Sequence, residues 1–308
     1  MAFKGTKTYP NAYDLAKELD SLGAMYNAFT SKEFTGYYIK GSKNVFTRAI
    51  KIIAEMTTDP IILDSEVDKE RGTIIEELNM YEDDPRRKIG DYFEQSIFPD
   101  IKIAQEIIGS KESLAGIHAK EIKDYRHKYY RSGNAIISLS GLVPKDFTLD
   151  AEKLFAGLSQ GCDNYLPPEK KQTKKINLAY KKTQQTHLAL GYPGLKYSDK
   201  EAETLKVLTT LLGGNMSSRM FSEVREKRGL AYYVRTYTSD LSDTGAVATF
   251  AGVNNDKATE AVAIIRDVYM SATKNIPDSE LLKTKDYPKG ILTLQYEDSE
   301  YRSEVNAL

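Results

Sequence analysis

Two glutamates seven residues apart are the most unusual chemical feature of the sequence. Glu70 and Glu77 lie in a stretch that predicts a helix from Asp64 or Ser65 to about Tyr81. On a helix they lie on the same face, separated by two turns and roughly 10 Å along the axis. On a stripe that otherwise faces the core, one carboxylate could bind a cation and the other could support it. From periodicity alone, the simpler interpretation is a solvated acidic face.

The histidines and the cysteine limit the metal chemistry further. His118, His127 and His187 are the only histidines, and none lies three or four residues from another. Neither order of the two-histidine helical zinc motif therefore occurs in these 308 residues. We interpret each histidine as a structural or surface residue. The single cysteine, Cys162, excludes an internal disulfide and a cysteine-rich metal site, and we interpret it as a bystander thiol.

Composition excludes several broad classes of protein. The chain is 41% hydrophobic and 28% charged with a formal net charge of −1, which is typical of a folded globular protein. This balance argues against a general binder of nucleic acid or of membrane surfaces. No apolar run approaches the roughly 20 residues of a membrane span. The first residues lack the apolar core of a signal peptide. The compartment is not determined by these features, and the cytoplasm is the default expectation.

The hydrophobic pattern predicts helices and strands along the whole chain. Predicted helices cover 10–22, 42–56, 64–81, 85–97, 119–130, a segment ending at Phe155, 198–212, 217–227, 257–273 and a segment starting near 278, where Pro288 kinks or restarts the helix. Predicted strands cover 24–31, 35–40, 135–142, 176–180, 186–190, 230–238 and 246–252. Ser42 and Ser198 are expected to cap their helices.

The two halves of the chain repeat one order of elements. Gly23-Ala-Met-Tyr26 and Thr35-Gly36 flank the strands of the first half, and Gly229-Leu-Ala-Tyr232 and Thr244-Gly245 flank those of the second. A nearly constant offset between these landmarks indicates a duplication. We therefore predict an α+β fold of two similar domains, each a mostly antiparallel sheet packed with helices. The domains are residues 1–161 and 176–308, joined by a polar linker at 162–175.

Five sequence blocks, in one order over nearly the whole chain, resemble the M16 (pitrilysin/insulinase) metallopeptidases and their bacterial processing-peptidase-like branch. The blocks are Met1-Ala-Phe-Lys-Gly-Thr6, Asn27-Ala-Phe-Thr-Ser-Lys-Glu33, Glu70-Arg-Gly-Thr-Ile-Ile-Glu-Glu77, Gly213-Gly-Asn-Met-Ser-Ser-Arg219 and Arg225-Glu-Lys-Arg-Gly-Leu-Ala-Tyr232. Each block is weak alone, and together they are specific. The resemblance implies the LuxS/MPP-like metallohydrolase fold.

The resemblance implies a role for each of the two glutamates. In this family a His-x-x-Glu-His motif directly precedes the segment that matches Met1 to Thr6, and it supplies two zinc ligands and the general base. A downstream glutamate completes the zinc site, and it matches Glu77, while Glu70 matches a carboxylate that supports the site. These 308 residues lack the motif. We therefore expect the chain to be truncated before Met1 and inside its second domain, and not to cleave peptides.

The resemblance also implies how substrate is held. Asn27, Ala28 and Phe29 match an edge strand to which an extended peptide adds through backbone hydrogen bonds. Arg225 and Tyr232 match residues that hold substrate and stabilise the tetrahedral oxyanion. The residues alone fit a simpler interpretation, an ordinary paired strand, a surface arginine and a strand tyrosine. In single-repeat members the facing half comes from a partner subunit, so a homodimer or an M16 heterodimer is expected.

The function implied by the resemblance is that of a zinc metalloendopeptidase acting on extended or unfolded peptides. Two imidazoles and one carboxylate leave zinc a fourth position for water, which the metal activates. The alternative is a non-catalytic M16 homologue that serves as a peptide-binding or assembly subunit. Such members usually lose the downstream glutamates, so the presence of Glu70 and Glu77 favours a catalytic parent.

Overall fold

The computed structural model describes residues 1–99, 101–144, 147–162 and 176–307, with the side chains of 148–150 left out. The predicted linker at 162–175 lies outside the described residues except for Cys162, which is exposed. The strands are β1 Met25–Thr30, β2 Thr35–Lys40, β3 Gln185–Pro193, β4 Ala231–Asp240 and β5 Gly245–Asn254. The helices are α1 Ala12–Ser21, α2 Phe46–Thr58, α3 Asp64–Asp83, α4 Pro85–Ile97, α5 Lys111–Ala115, α6 Ala119–Tyr129, α7 Phe147–Leu154, α8 Ala202–Thr209, α9 Ala258–Ala272, α10 Asp278–Gln295 and α11 Ser299–Ala307.

The chain forms two compact units, which do not coincide with continuous stretches of sequence. The first unit comprises Met1–Leu78, Ile107–Leu166 and Thr293–Leu308, and the second comprises Asn79–Glu106 and Pro167–Leu292. The predicted domain division at the linker stays a prediction, since residues 163–175 lie outside the described ranges.

The first unit is built around the hairpin of β1 and β2. These strands pair antiparallel, from Met25 opposite Lys40 to Thr30 opposite Thr35. Helix α1 begins where the Asn11 side chain accepts a hydrogen bond from the Asp14 N–H (2.9 Å). It ends before Gly23, whose φ of +58° suits glycine. The predicted leucine stripe packs with α2 in one core cluster, made of Ala2, Leu15, Leu19, Leu22, Ile52 and Met56.

The second unit is built around a three-stranded antiparallel sheet in the order β3-β5-β4. One face of this sheet packs on α9 and on the π-helical turn Phe221–Glu226, through a core that includes Val224, Val253 and Ile265. Helix α4 contacts the sheet as well, where the rings of Phe93 and Phe250 meet edge to face at 5.7 Å. A helix-hairpin-helix order thus occurs in both units. The α+β class and the small antiparallel sheets are as predicted.

Several predicted elements are wrong. The segments 135–142 and 176–180 are not strands, and most of their apolar side chains are exposed, Ile136 to 72% and Leu178 to 89%. An alternating pattern forms a strand only where another strand accepts its backbone hydrogen bonds, and no described strand pairs with either segment.

The predicted serine caps are also wrong, and Pro288 does not restart its helix. Ser42 precedes a 3-10 turn, Lys43–Val45, and its side chain makes no capping hydrogen bond. Helix α8 begins only at Ala202, after a turn in which Asp199 accepts from the Glu201 N–H (2.9 Å). Pro288 lies within the continuous helix α10.

Candidate functional site

Helix α3, which carries the two glutamates, is anchored at its N-terminal end. The Asp64 carboxylate accepts a hydrogen bond from the Ala119 N–H at the start of α6 (2.9 Å). The Arg71 guanidinium donates to the carbonyl of Leu114 near the end of α5 (3.0 Å) and to that of Ile117 just after it (2.5 Å). These bonds hold the part of the helix that belongs to the first unit, which ends at Leu78 and carries both glutamates.

The structure places Glu70 and Glu77 in different environments. Glu70 is 31% exposed and forms an ion pair with the Lys4 ammonium at 2.6 Å. Glu77 is exposed, and no hydrogen bond or ion pair joins its carboxylate to any described residue. The remaining acidic residues of the first turns are paired locally, Glu66 with Lys69 and Asp68 with Arg71. Glu77 is therefore a carboxylate available to an external cation.

The described residues do not fit a zinc ion by themselves. A zinc site of this type needs three protein ligands around an open position. Among the residues with described positions, no group of three or more His, Cys, Asp or Glu side chains is arranged to hold a metal ion. Glu77 is thus a single candidate ligand, and no catalytic step through zinc follows from these residues alone.

The predicted substrate strand, β1, has one partner strand in the described structure, β2. The N–H of Ala28 donates to the side-chain oxygen of Asn27 at 2.8 Å, so an incoming peptide has to displace that amide to use this group. Phe29 lies opposite Gly36, where any Cβ would overlap its ring, and it meets Phe34 edge to face at 5.9 Å. The Phe29 ring therefore already packs within its own hairpin, and a peptide that adds to β1 has to bind through backbone hydrogen bonds.

Arg225 and Tyr232 lie together in the second unit. Arg225 belongs to the π-helical turn Phe221–Glu226, and Gly229, with φ +59°, turns the chain into β4. A β-bulge in β4 leaves Tyr232 as the extra residue, 73% exposed. Bulges re-aim side chains in this way. The Arg225 guanidinium lies 4.8 Å from the Phe221 ring centroid and 5.9 Å from that of Tyr232.

These two residues line one open cavity of about 480 Å³. Sequence reasoning missed two polar residues in its wall, Gln185 at the start of β3 and Asn254 at the end of β5. Nothing in their local sequence distinguishes them, because their proximity arises only from strand pairing. Sequence reasoning also missed the partner of Glu70, although Lys4 belongs to one of the motif blocks.

His187 lies within hydrogen-bonding distance of a tyrosine, and among the residues with described positions it belongs to no group that could hold a metal ion. Its Nδ1 lies 2.9 Å from the Tyr233 hydroxyl, and Arg86 stacks on the Tyr233 ring at 4.5 Å. Burial lowers the pKa of His187, with the Asp84 carboxylate acting in the opposite direction. Burial also raises the pKa of Tyr233 to about 12. The contact between His187 and Tyr233 holds the Tyr233 ring on the sheet, as expected for a structural histidine.

Comparison with known proteins identifies the class. Residues 1–111 match the family described as insulinase (peptidase family M16), and residues 116–287 match the peptidase M16 inactive domain. The chain is 32% identical over 308 residues to the uncharacterized zinc protease YmxG of Bacillus subtilis, covering 99% of this chain and 75% of that protein. It is 33% identical to an uncharacterized zinc protease of Streptomyces coelicolor, covering 97% of this chain and 67% of that protein. The chain therefore belongs to the M16 peptidase family.

A solved structure supports the fold. A protease from Helicobacter pylori superposes with a TM-score of 0.89 at 24% sequence identity, covering 99% of this chain and 76% of that one. At this identity the likeness bears on the fold alone. Within the described parts of the chain, no helix combines the length and the apolar character needed to cross a membrane.

Proposed function

We propose that this chain belongs to a zinc metalloendopeptidase that cleaves extended or unfolded peptides, and that its 308 residues bind such peptides without hydrolysing them. The observation that carries the proposal is the contrast between the two carboxylates of α3. Glu70 is held by Lys4 at 2.6 Å, whereas Glu77, on the same helix face, has no described partner. A solvated acidic face gives no reason for this difference, whereas a metal ligand with a supporting carboxylate behind it does.

Glu77 is proposed as the one zinc ligand that this chain supplies. If two histidines completed the site, Glu77 would help to hold a zinc ion, which would supply polarisation of the scissile carbonyl and activation of water. The 308 residues contain no pair of histidines at helical spacing and no general base from that motif. On that ground we propose that the chain on its own does not hydrolyse peptides.

Peptide binding is proposed at two places, each within one unit. In the first unit, the edge of β1 accepts an extended peptide through its backbone, around Asn27, Ala28 and Phe29. In the second unit, Arg225 and Tyr232 hold substrate, and in a complete enzyme they would donate to the developing oxyanion. The absence of any ion pair on Arg225 in the described structure supports this role, because its guanidinium is available to a ligand. The proposed assembly is a homodimer or an M16 heterodimer.

The first experiment measures binding and cleavage separately on the purified 308-residue chain. A fluorescein-labelled, unstructured decapeptide is titrated and followed by anisotropy, and mass spectrometry follows its cleavage in the presence of zinc. We expect binding without cleavage, weakened by Arg225→Gln and unchanged by Glu77→Gln. A peptide with alternate backbone nitrogens methylated tests strand addition, since it cannot donate those hydrogen bonds, and it should bind more weakly.

Two results would overturn the proposal. Zinc-dependent cleavage that survives Glu77→Gln would show a catalytic centre elsewhere. Absence of peptide binding, combined with stable association of the chain with itself or with another M16 protein, would instead identify an assembly subunit.

A further inference from the structure

Three side chains around the cavity of the second unit have no hydrogen-bonding partner in the described structure. The Arg225 guanidinium lies near the rings of Phe221 and Tyr232 and forms no hydrogen bond or ion pair with any described residue. The amide side chains of Gln185 and Asn254 form no hydrogen bond to any residue with a described position. Polar groups in a concave wall retain such capacity where water or a ligand satisfies it.

Strand pairing brings the two amides to the same place. Gln185 and Asn254 are directly opposite in the β3–β5 register, so their side chains project from the same face of the sheet. Gly252, two residues before Asn254, lies on that face as well and also lines the cavity. The amides come from the sheet and Arg225 comes from the π-helical turn, so the three groups approach one space from different elements.

The hydrogen-bonding chemistry of this wall selects the ligand. A guanidinium has five N–H donors and no acceptor, and each side-chain amide adds two donors beside its one acceptor oxygen, so donors are in the majority. An ionised carboxylate is an acceptor with about four lone-pair sites and can bind an arginine in a bidentate manner. We propose that this cavity binds a carboxylate of a peptide, either its C-terminal carboxylate or an Asp or Glu side chain, with Gln185 and Asn254 as specificity-determining residues. This inference rests on the proposed peptide-binding function.

Glu226 opposes such a ligand and provides a second test. It lines the same cavity, is exposed, and carries a charge of the same sign as the ligand. Because like charges repel, its neutralisation should strengthen carboxylate binding. Removal of a wall amide should weaken it. The two changes therefore have opposite expected signs, and a general loss of folding cannot produce both.

The test compares three labelled decapeptides by anisotropy on the 308-residue chain. They are identical except that one is neutral with an amidated C-terminus, one carries an internal glutamate in place of glutamine, and one has a free C-terminus. We expect one or both carboxylate peptides to bind roughly tenfold more tightly than the neutral peptide. Gln185→Leu and Asn254→Leu should each reduce that preference several-fold, and Glu226→Gln should increase it. Glu260→Gln, the same charge change on α9 outside the cavity, is the matched control and should alter nothing.

The peptide that gains affinity identifies the source of the carboxylate. Equal affinity for all three peptides, unchanged in the four variants, overturns the carboxylate inference and leaves the proposed peptide binding intact. Failure of all three peptides to bind overturns the proposed peptide binding, and the inference with it.

Discussion

A buried chain of hydroxyl groups crosses the core of the second unit, and Thr249 lies at its centre. Thr249 is fully buried on β5. Its hydroxyl lies 2.7 Å from that of Thr236 on β4 and 2.7 Å from that of Tyr269 on α9. The Tyr269 hydroxyl also donates to the Leu190 carbonyl at 3.4 Å. The substitution Thr249→Val keeps the shape of the side chain and removes the central hydroxyl.

The expected cost follows from the partners that remain. Tyr269 keeps the Leu190 carbonyl, but the buried Thr236 hydroxyl loses its only described partner. An unsatisfied buried hydroxyl costs about 1–3 kcal/mol. We therefore expect Thr249→Val to lower the free energy of opening of β5 by about 2 kcal/mol. Adding Thr236→Val removes the unsatisfied group, so the double variant should recover about 1 kcal/mol of that loss.

Hydrogen exchange followed by mass spectrometry suits this prediction, because a chain of two units need not unfold in one step. Amide exchange in Gly245–Asn254 should become roughly thirtyfold faster in Thr249→Val. Exchange in α2 of the first unit is the internal reference and should not change. A change in β5 below about 0.5 kcal/mol, or a double variant less stable than the single one, would refute the reasoning.

Three further predictions follow from single contacts. Arg219 donates two hydrogen bonds to Glu280 (2.9 and 2.6 Å), which hold the pKa of that carboxyl below its ordinary value. Arg219→Gln should therefore cost about 1.5 kcal/mol at neutral pH. A carboxyl group whose pKa is lowered by folding stabilises the folded state above its unfolded pKa of about 4.3, and this stabilisation is lost as the pH falls. The stability difference between the parent chain and Arg219→Gln, measured by urea denaturation, should therefore shrink at lower pH. A difference that stays constant at pH 3 would contradict it. Glu77→Gln should change the free energy of unfolding by less than about 0.5 kcal/mol, because the carboxylate has no described partner. A large shift of the thermal midpoint would reveal a structural role. Gly252→Ala would place a Cβ 2.9 Å from Cδ1 of the Tyr233 ring, so we expect a loss of about 1–3 kcal/mol in thermal denaturation. Stability equal to the parent chain would show that the ring moves freely.

Local sequence predicted the elements whose stability is local or amphipathic. The leucines of α1 recur at helical spacing, and they form the core that this spacing predicts. The strands of both hairpins also lie close to their predicted bounds, because short turns join each pair and bring the strands together. The predicted strands at 135–142 and 176–180 failed for the opposite reason. Their pattern is that of a strand, but pairing depends on residues distant in sequence.

The candidate site divides in the same way. The spacing of Glu70 and Glu77 was sufficient to place both carboxylates on one helix face, and the motif blocks were sufficient to indicate the M16 family, which the comparisons confirm. The sequence could not show that Lys4 holds Glu70 while Glu77 is left without a described partner. Helical periodicity fixes the direction of a side chain and not the neighbours that meet it.

The sequence by itself determined the chemistry of the candidate site residues and the repeated order of elements. It also determined that these 308 residues contain no two-histidine helical motif. Only the tertiary structure decided which polar groups share one cavity. Gln185, Arg225 and Asn254 are far apart along the chain, and they meet because β3 pairs with β5 and a bulge shapes the start of β4. Such contacts are set by strand register and backbone irregularity, which depend on the packing of the whole sheet and not on local residue pattern.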